Sequence, residues 1–402
     1  MRYSDQRRST LDRRALLGGL AGLVALGTTG LGASPRLRLG GRTLVLLQLA
    51  GGNDGLSTVV PLEDDAYRRA RPRLGLPKQD LLPIGRDLAL HPELARLRAH
   101  FDAGRVAVVS GCGYPNPNRS HFKSFEIWHT ADPRGRAAGD GWIGRLLDAR
   151  YGDEADPNRV VHVGTKLPYS LHSATHPAAS FVLPESYRWA EIQGEVGRLE
   201  GGTTKAGKRA ALEHVRGVLR DARTSSDAIR RAVAARRPGA RYPNSPLGGH
   251  LATVAALVGA GLGGRVFSAE LGGFDTHNAQ LARHANLMRT LDAALGALLD
   301  DLGTSEAGRD TVVLVFSEFG RRVAENGSAG TDHGTAGPMF VLGHRVRGGH
   351  FGEPPSLTDL DAGDLRFTTD FRSVYGEAID SVFELPHERV LGASFPKLGW
   401  SV

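Results

Sequence analysis

The chain is predicted to fold as an α/β protein with a mostly parallel sheet covered on both faces. Three observations predict it. Short, nearly continuous apolar runs alternate with helical stretches along the chain. Several of those runs end in glycine-rich turns that carry a carboxylate. Gly is frequent, at 53 of 402 residues, and aromatics are sparse, which suits a loop-rich α/β chain better than a β-sandwich.

Taken in order, residues 1–34 read as a targeting segment rather than as part of the fold. A basic opening with Arg13-Arg14 precedes a mild Gly/Ala-rich apolar run to about Thr29, as in a twin-arginine export signal, with cleavage after Ala33. That run is shorter than the roughly 20 residues needed to cross a bilayer, so no stable membrane span is expected. The expected partner here is the twin-arginine translocase, and the expected location periplasmic or secreted. The segment carries five Arg against two Asp, so three of the seven formal positive charges leave with it. The residual charge is a poor argument for nucleic acid, and no later segment interleaves basic and aromatic residues.

Residues 35–402 are expected to form one domain. Thr43–Ala50 reads as a buried parallel strand that turns at Gly51-Gly52-Asn53-Asp54-Gly55. Leu94–Ala103 is helical, and Arg105–Ser110 is a strand closed by Gly111. Helices are predicted at Arg119–Trp128 and Trp142–Ala149, then a strand at Val160–Gly164. From Pro184 to Pro246 strand signals vanish and Arg, Ala and Glu take helical spacing, which predicts a helical insertion or cap over 184–246. A helix at Leu247–Leu257, a strand at Arg265–Glu270 and a long amphipathic helix at Gln280–Leu302 follow. Strands at Thr311–Phe316 and Met339–Leu342 and a helix at Asp370–Phe383 close the domain.

Cys112 is the only cysteine, which excludes an internal disulfide and a thiolate cluster. Any metal must be held by His, Asp and Glu. In open α/β sheets ligands bind beyond the carboxyl ends of the strands, where Asp54, Asp275 and Glu318 fall. Asp275 and His277, two apart after Gly272-Gly273, project to the same side of an extended backbone. Glu318 ends a fully apolar strand and needs a partner, either a cation or Arg321 or Arg322. Asp332 and His333 follow a glycine-containing loop. Ser120 falls at the N-cap of a helix, where free amides favour an anion, with Arg119 and His121 beside it. Each of these also has an ordinary reading as a turn, capping or loop residue.

Two patterns are set aside. Ser120-His121-Phe122-Lys123 matches Ser-x-x-Lys, but no Ser-Asp-Asn or Lys-Thr-Gly follows. Gly259–Gly264 fits a dinucleotide fingerprint, yet it follows a helix and precedes a strand.

Six ordered motifs, LQLAGGNDGLSTVVP, NRSHF, GGFDTHNAQ, VFSEFGRR, GTDHGTAGP and DFRSVYGEAI, are similar to those of the DUF1501 family of exported bacterial proteins. The resemblance runs from about residue 42 to the C-terminus. It implies an alkaline phosphatase-like three-layer α/β/α sandwich, related to the sulfatases, with a divalent metal centre of one or two ions. Zinc is the first choice, and calcium or manganese are the others. It casts Ser120 as nucleophile, with Arg119 and His121 nearby, and Asp54, Asp275, His277, Glu318 and His333 as ligands. Phe319 stands where a ligand histidine is usual, and Asp332 is the candidate replacement. The expected function is hydrolysis of phosphate or sulfate esters on a small molecule or polymer, by Ser120 or a metal-activated water. The alternative is a non-catalytic binding or structural protein of the cell envelope.

Overall fold

The computed structural model describes residues 41–134, 140–154, 156–187 and 222–402. The export segment (1–34) and most of the 184–246 insertion lie outside the described residues; within the latter, residues 222–235 are helical.

A nine-stranded sheet organises the domain. Its strands in chain order are β1 (Thr43–Ala50), β2 (Val106–Gly113), β3 (Val160–Val163), β4 (Ala179–Phe181) and β5 (Val266–Gly272). They continue with β6 (Thr311–Phe316), β7 (Gly337–Leu342), β8 (Gly349–Phe351) and β9 (Thr369–Asp370). Across the sheet the order is β8-β2-β7-β6-β1-β5-β3-β4, with β9 also beside β2. All pairings are parallel except those of β7, which runs against β6 and β2.

The continuous apolar runs are explained by two cores rather than one. In β1, Val45, Leu47 and Leu49 face one core while Leu44 and Leu46 face the other. β6 divides likewise, with Val313 and Val315 on one side and Val312, Leu314 and Phe316 opposite. A strand covered on both faces has no polar side to show, because successive side chains point to opposite layers. Helices α1 (Ala95–Asp102), α4 (Pro246–Ala260) and α5 (Gln280–Leu302) supply the first layer, contributing Leu97, Leu251, Leu295 and Leu298. The second layer is α2 (His121–Thr130), α3 (Trp142–Tyr151) and α6 (Phe371–Phe383), contributing Ile127, Trp128, Trp142 and Val374. The architecture is the expected three-layer α/β/α sandwich.

Helix ends differ from the sequence reading at several places, α2 and α4 among them. α2 starts at His121 rather than Arg119, because Ser120 has the extended φ, ψ of an N-cap (−83°, 127°). α4 runs from Pro246 to Ala260, beginning on Ser245, whose hydroxyl accepts from Gly248 N, and ending on Gly261 at φ +63°. Strands β4, β8 and β9, of two or three residues, were not anticipated. No described helix is long and apolar enough to cross a membrane.

Of the seven buried histidines among the described residues, four stand apart in their titration: His91, His129, His162 and His284. Burial pushes each down to about 4. His129 Nε2 meets Gln48 Oε1 at 2.8 Å and His162 Nδ1 meets Ser268 Oγ at 2.7 Å. Unfolded, each titrates near 6.5, so below that pH the unfolded chain takes up protons that the folded chain refuses. Stability is therefore expected to fall as pH drops from 6.5 toward 4, by about 1.4 kcal/mol per pH unit for each histidine. Above 6.5 these groups contribute no slope. Urea midpoints at pH 7, 5.5 and 4.5 check this, and a flat profile would contradict it.

Candidate metal centre

Strand direction explains why distant residues meet. The parallel strands β1, β2, β5 and β6 all end at one edge of the sheet, and reversed β7 begins there. The segments after β1 (Gly51–Asp54), β2 (Ser120, His121), β5 (Asp275, His277) and β6 (Glu318, Arg321), and that before β7 (His333), share this rim.

Glycine allows the loops to close on one another. Gly51 and Gly52 have φ of +118° and +74°. A Cβ on Gly51 would strike the backbone of Asp275, and one on Gly52 the ring of Phe319. The loop between β6 and β7 folds back as a hairpin: Gly320 N donates to Thr335 O at 2.7 Å, and Gly334 N to Gly320 O at 2.9 Å. Arg321 and His333 form an antiparallel bridge within it. Asn326 Nδ2 donates to His277 O at 2.9 Å, tying this hairpin to the loop after β5.

Arg321 is the fastener of the rim. Wholly buried, it donates to the carbonyls of Gly51, Gly52, Phe274 and Thr331 and to Asp275 Oδ1 at 2.8 Å. It is not the partner of Glu318. That carboxylate, also fully buried, accepts from Gly51 N at 2.9 Å and Ser317 Oγ at 3.1 Å, and lies 2.8 Å from His121 Nδ1.

The centre is a carboxylate ringed by imidazoles. Asp275 Oδ1 lies 2.9 Å from His277 Nε2 and 3.1 Å from His333 Nε2, while Oδ2 lies 3.6 Å from His121 Nε2. The two Nε2 atoms of His277 and His333 are 2.9 Å apart. Ligand atoms of His121, Asp275 and His333 all fall within 4.8 Å of one another, a group of the kind that holds a metal ion. Burial alone would raise the carboxyl of Asp275. Hydrogen bonds from Arg321 and His333 outweigh this and hold it at about 2, so it is an anion at neutral pH. His121 is raised above its ordinary range, first by its hydrogen bond to Glu318, against the opposing effect of burial.

The other residues singled out in the sequence take different places. Asp332 stands outside the ring, with Oδ1 3.5 Å from His277 Nδ1. Arg119 turns its guanidinium to buried Asp364, while its backbone carbonyl lies 2.8 Å from His333 Nδ1. Ser120 is exposed, and its hydroxyl makes no capping bond. Phe319, where the sequence resemblance implies a ligand histidine, is buried against the rings of His121 and His333, with centroids 4.8 and 4.7 Å away.

Asp54 is not brought into the group. It is sealed beneath the rim, where Oδ2 accepts from Arg71 Nη1 at 2.6 Å, Ser57 Oγ at 2.8 Å and Gln280 Nε2. Burial opposes its ionisation, but Arg71 prevails and holds it at about 2. Arg71 carries no sequence signal, since it lies 17 residues away among other arginines. Gln280 and His284, which complete this buried network, were likewise not anticipated.

Residues 107–364 match the model of the family described as "Protein of unknown function (DUF1501)". The chain belongs to this family. No curated protein matches this DUF1501 chain. Among solved structures it is similar to Ps i-CgsB in complex with k-i-k-neocarrahexaose, at 11% identity and TM-score 0.38, covering 90% of this chain and 75% of that one. A protein in the alkaline phosphatase superfamily from Vibrio parahaemolyticus follows at 11% and 0.34, covering 78% and 62%. BT1596, a 2-O GAG sulfatase, matches at 10% and 0.33, covering 89% and 72%. At such identities nothing about chemistry passes from them to this DUF1501 chain.

Proposed function

We propose that the protein is an exported, divalent-cation-dependent hydrolase of phosphate or sulfate esters, acting at the rim where Asp275 and the three histidines meet. The observation that carries this reading is the ring itself: one ionised carboxylate within 3.6 Å of three imidazole Nε2 atoms, open to solvent. The residues fit a cation, being nitrogen and oxygen donors without a thiolate. A cation bound there would supply positive charge to the non-bridging oxygens of the ester and to an attacking oxygen.

Within this reading Ser120 is the nucleophile. Its hydroxyl is free of capping duty and stands at the start of the ten-residue helix α2, whose first amides favour an anion. Ser120 Oγ attacks phosphorus or sulfur, the bond to the alcohol oxygen breaks, and water later cleaves the seryl ester. Ser120→Ala is expected to lower kcat on aryl phosphate or sulfate esters by about 10³-fold or more with the fold intact. A loss of only a few-fold would transfer the attack to water.

Phe319 favours a second reading, a binding protein of the cell envelope that retains the fold, because an inert ring occupies a place where a ligand is usual. If Ser120→Ala, His333→Ala and chelation all leave the cellular phenotype intact, that second reading replaces the first.

A further inference from the structure

The tautomers of the three histidines carry more than the hydrolytic reading uses. His121 Nδ1 faces the carboxylate of Glu318 at 2.8 Å, His277 Nδ1 faces Asp332 Oδ1 at 3.5 Å, and His333 Nδ1 faces the carbonyl of Arg119 at 2.8 Å. All three opposing atoms accept hydrogen bonds. An imidazole that donates from Nδ1 to such an acceptor leaves its Nε2 lone pair free for a cation. In that state His277 and His333 Nε2, 2.9 Å apart, lie 2.9 and 3.1 Å from Asp275 Oδ1, and His121 Nε2 lies 3.6 Å from Oδ2. A cation among these atoms offsets the mutual repulsion of their lone pairs, a role that a proton on one Nε2 otherwise fills. The spacing is near that of a tetrahedral site, where nitrogens about 2.05 Å from a cation lie about 3.3 Å apart.

We infer that this rim binds a single zinc-type cation through His121 Nε2, His277 Nε2, His333 Nε2 and the carboxylate of Asp275, with Glu318 and Asp332 as positioning residues rather than ligands. This deepens the hydrolytic reading and rests on it for the site's use, though not for its existence. It moves His121 from anion contact to ligand, and it moves Glu318 and Asp332 outward, where each orients an imidazole and raises its basicity. Phe319 limits the number of ions, because its ring lies against two of the ligand rings and offers no donor. The donor set also selects the cation class. Three imidazoles and one carboxylate suit zinc and its transition-metal neighbours, whereas calcium and magnesium require mainly oxygen.

The test uses the full chain, stripped with a chelator and titrated with zinc and then calcium, with bound metal counted by mass spectrometry. One zinc per chain and no retained calcium are expected. His121→Asn and His277→Asn should each weaken zinc by at least about 100-fold, and Glu318→Gln and Asp332→Asn by about 10–100-fold. Long-range ¹⁵N spectra should show all three wild-type imidazoles protonated at Nδ1, with a mixture at His277 in Asp332→Asn. Unchanged melting curves confirm that each variant is folded; the part-exposed His277 and exposed Asp332 keep the test decisive should a buried variant unfold. Two ions per chain, none, or full affinity in His121→Asn overturns the inference. One bound zinc without turnover of any ester sinks the hydrolytic reading alone. Turnover that survives zinc removal sinks the cation-dependent hydrolytic reading alone, while the metal count still decides the site.

Discussion

Asp275→Ala is expected to remove turnover almost entirely, by about 10⁴-fold or more in kcat/KM, while the protein stays folded. The size follows from how many partners share this carboxylate. It lies 2.8 Å from Arg321, 2.9 Å from His277, 3.1 Å from His333 and 3.6 Å from His121. No other carboxylate takes its place among the described residues, since Glu318 is engaged by Gly51, Ser317 and His121 from below. Folding survives because Arg321 retains four backbone carbonyls and because the Asp275 side chain is half exposed. Asp275→Asn separates charge from shape: it keeps a carbonyl oxygen but should recover little activity. Steady-state kinetics at saturating zinc, read beside thermal melts, check both variants. Activity within ten-fold of wild type in Asp275→Ala would remove this rim from the chemistry.

The fold was legible because its strongest signals were redundant. Thr43–Ala50 and Thr311–Phe316 are apolar at their buried positions except Thr43, Gln48 and Thr311, as a strand between two helical layers requires. β8 and β9 were illegible because two or three residues at the sheet's flank hold no periodic pattern. The rim was legible in part for a related reason. A carboxylate placed after an apolar strand and near glycines marks the edge where strands end, and Asp275 and Glu318 carry that mark, with His277 two residues beyond the first. What each residue does there was not legible. Glu318 and His121 are 197 positions apart, and only the docking of α2 onto the sheet sets the carboxylate under Nδ1 and Nε2 beside Asp275. Asp54 bears the same strand-end mark yet faces inward, because Asp54–Thr58 winds into a helical turn that carries its side chain under the rim.

Arg71→Met is the substitution expected to cost the most stability, about 3–5 kcal/mol. Both side chains of the Arg71–Asp54 pair are wholly buried, and Arg71 also donates to the carbonyls of Val323 and Arg322 at 2.9 Å. Removing the cation leaves Asp54 as a buried charge held only by Ser57 and Gln280, with Oδ1 already lacking a partner. Asp54→Asn alone should cost less, because an amide is cheaper to bury than an unpaired ion, though it strands the guanidinium. The double variant should recover part of the sum, so a cycle by urea unfolding should give a coupling of about 2 kcal/mol or more. The same variants decide between the two places offered for Asp54. If it is a structural anion beneath the rim, folded Asp54→Asn binds zinc with wild-type affinity. A ligand would lose that affinity on the same change, and the buried pair would then have to open for the metal to enter.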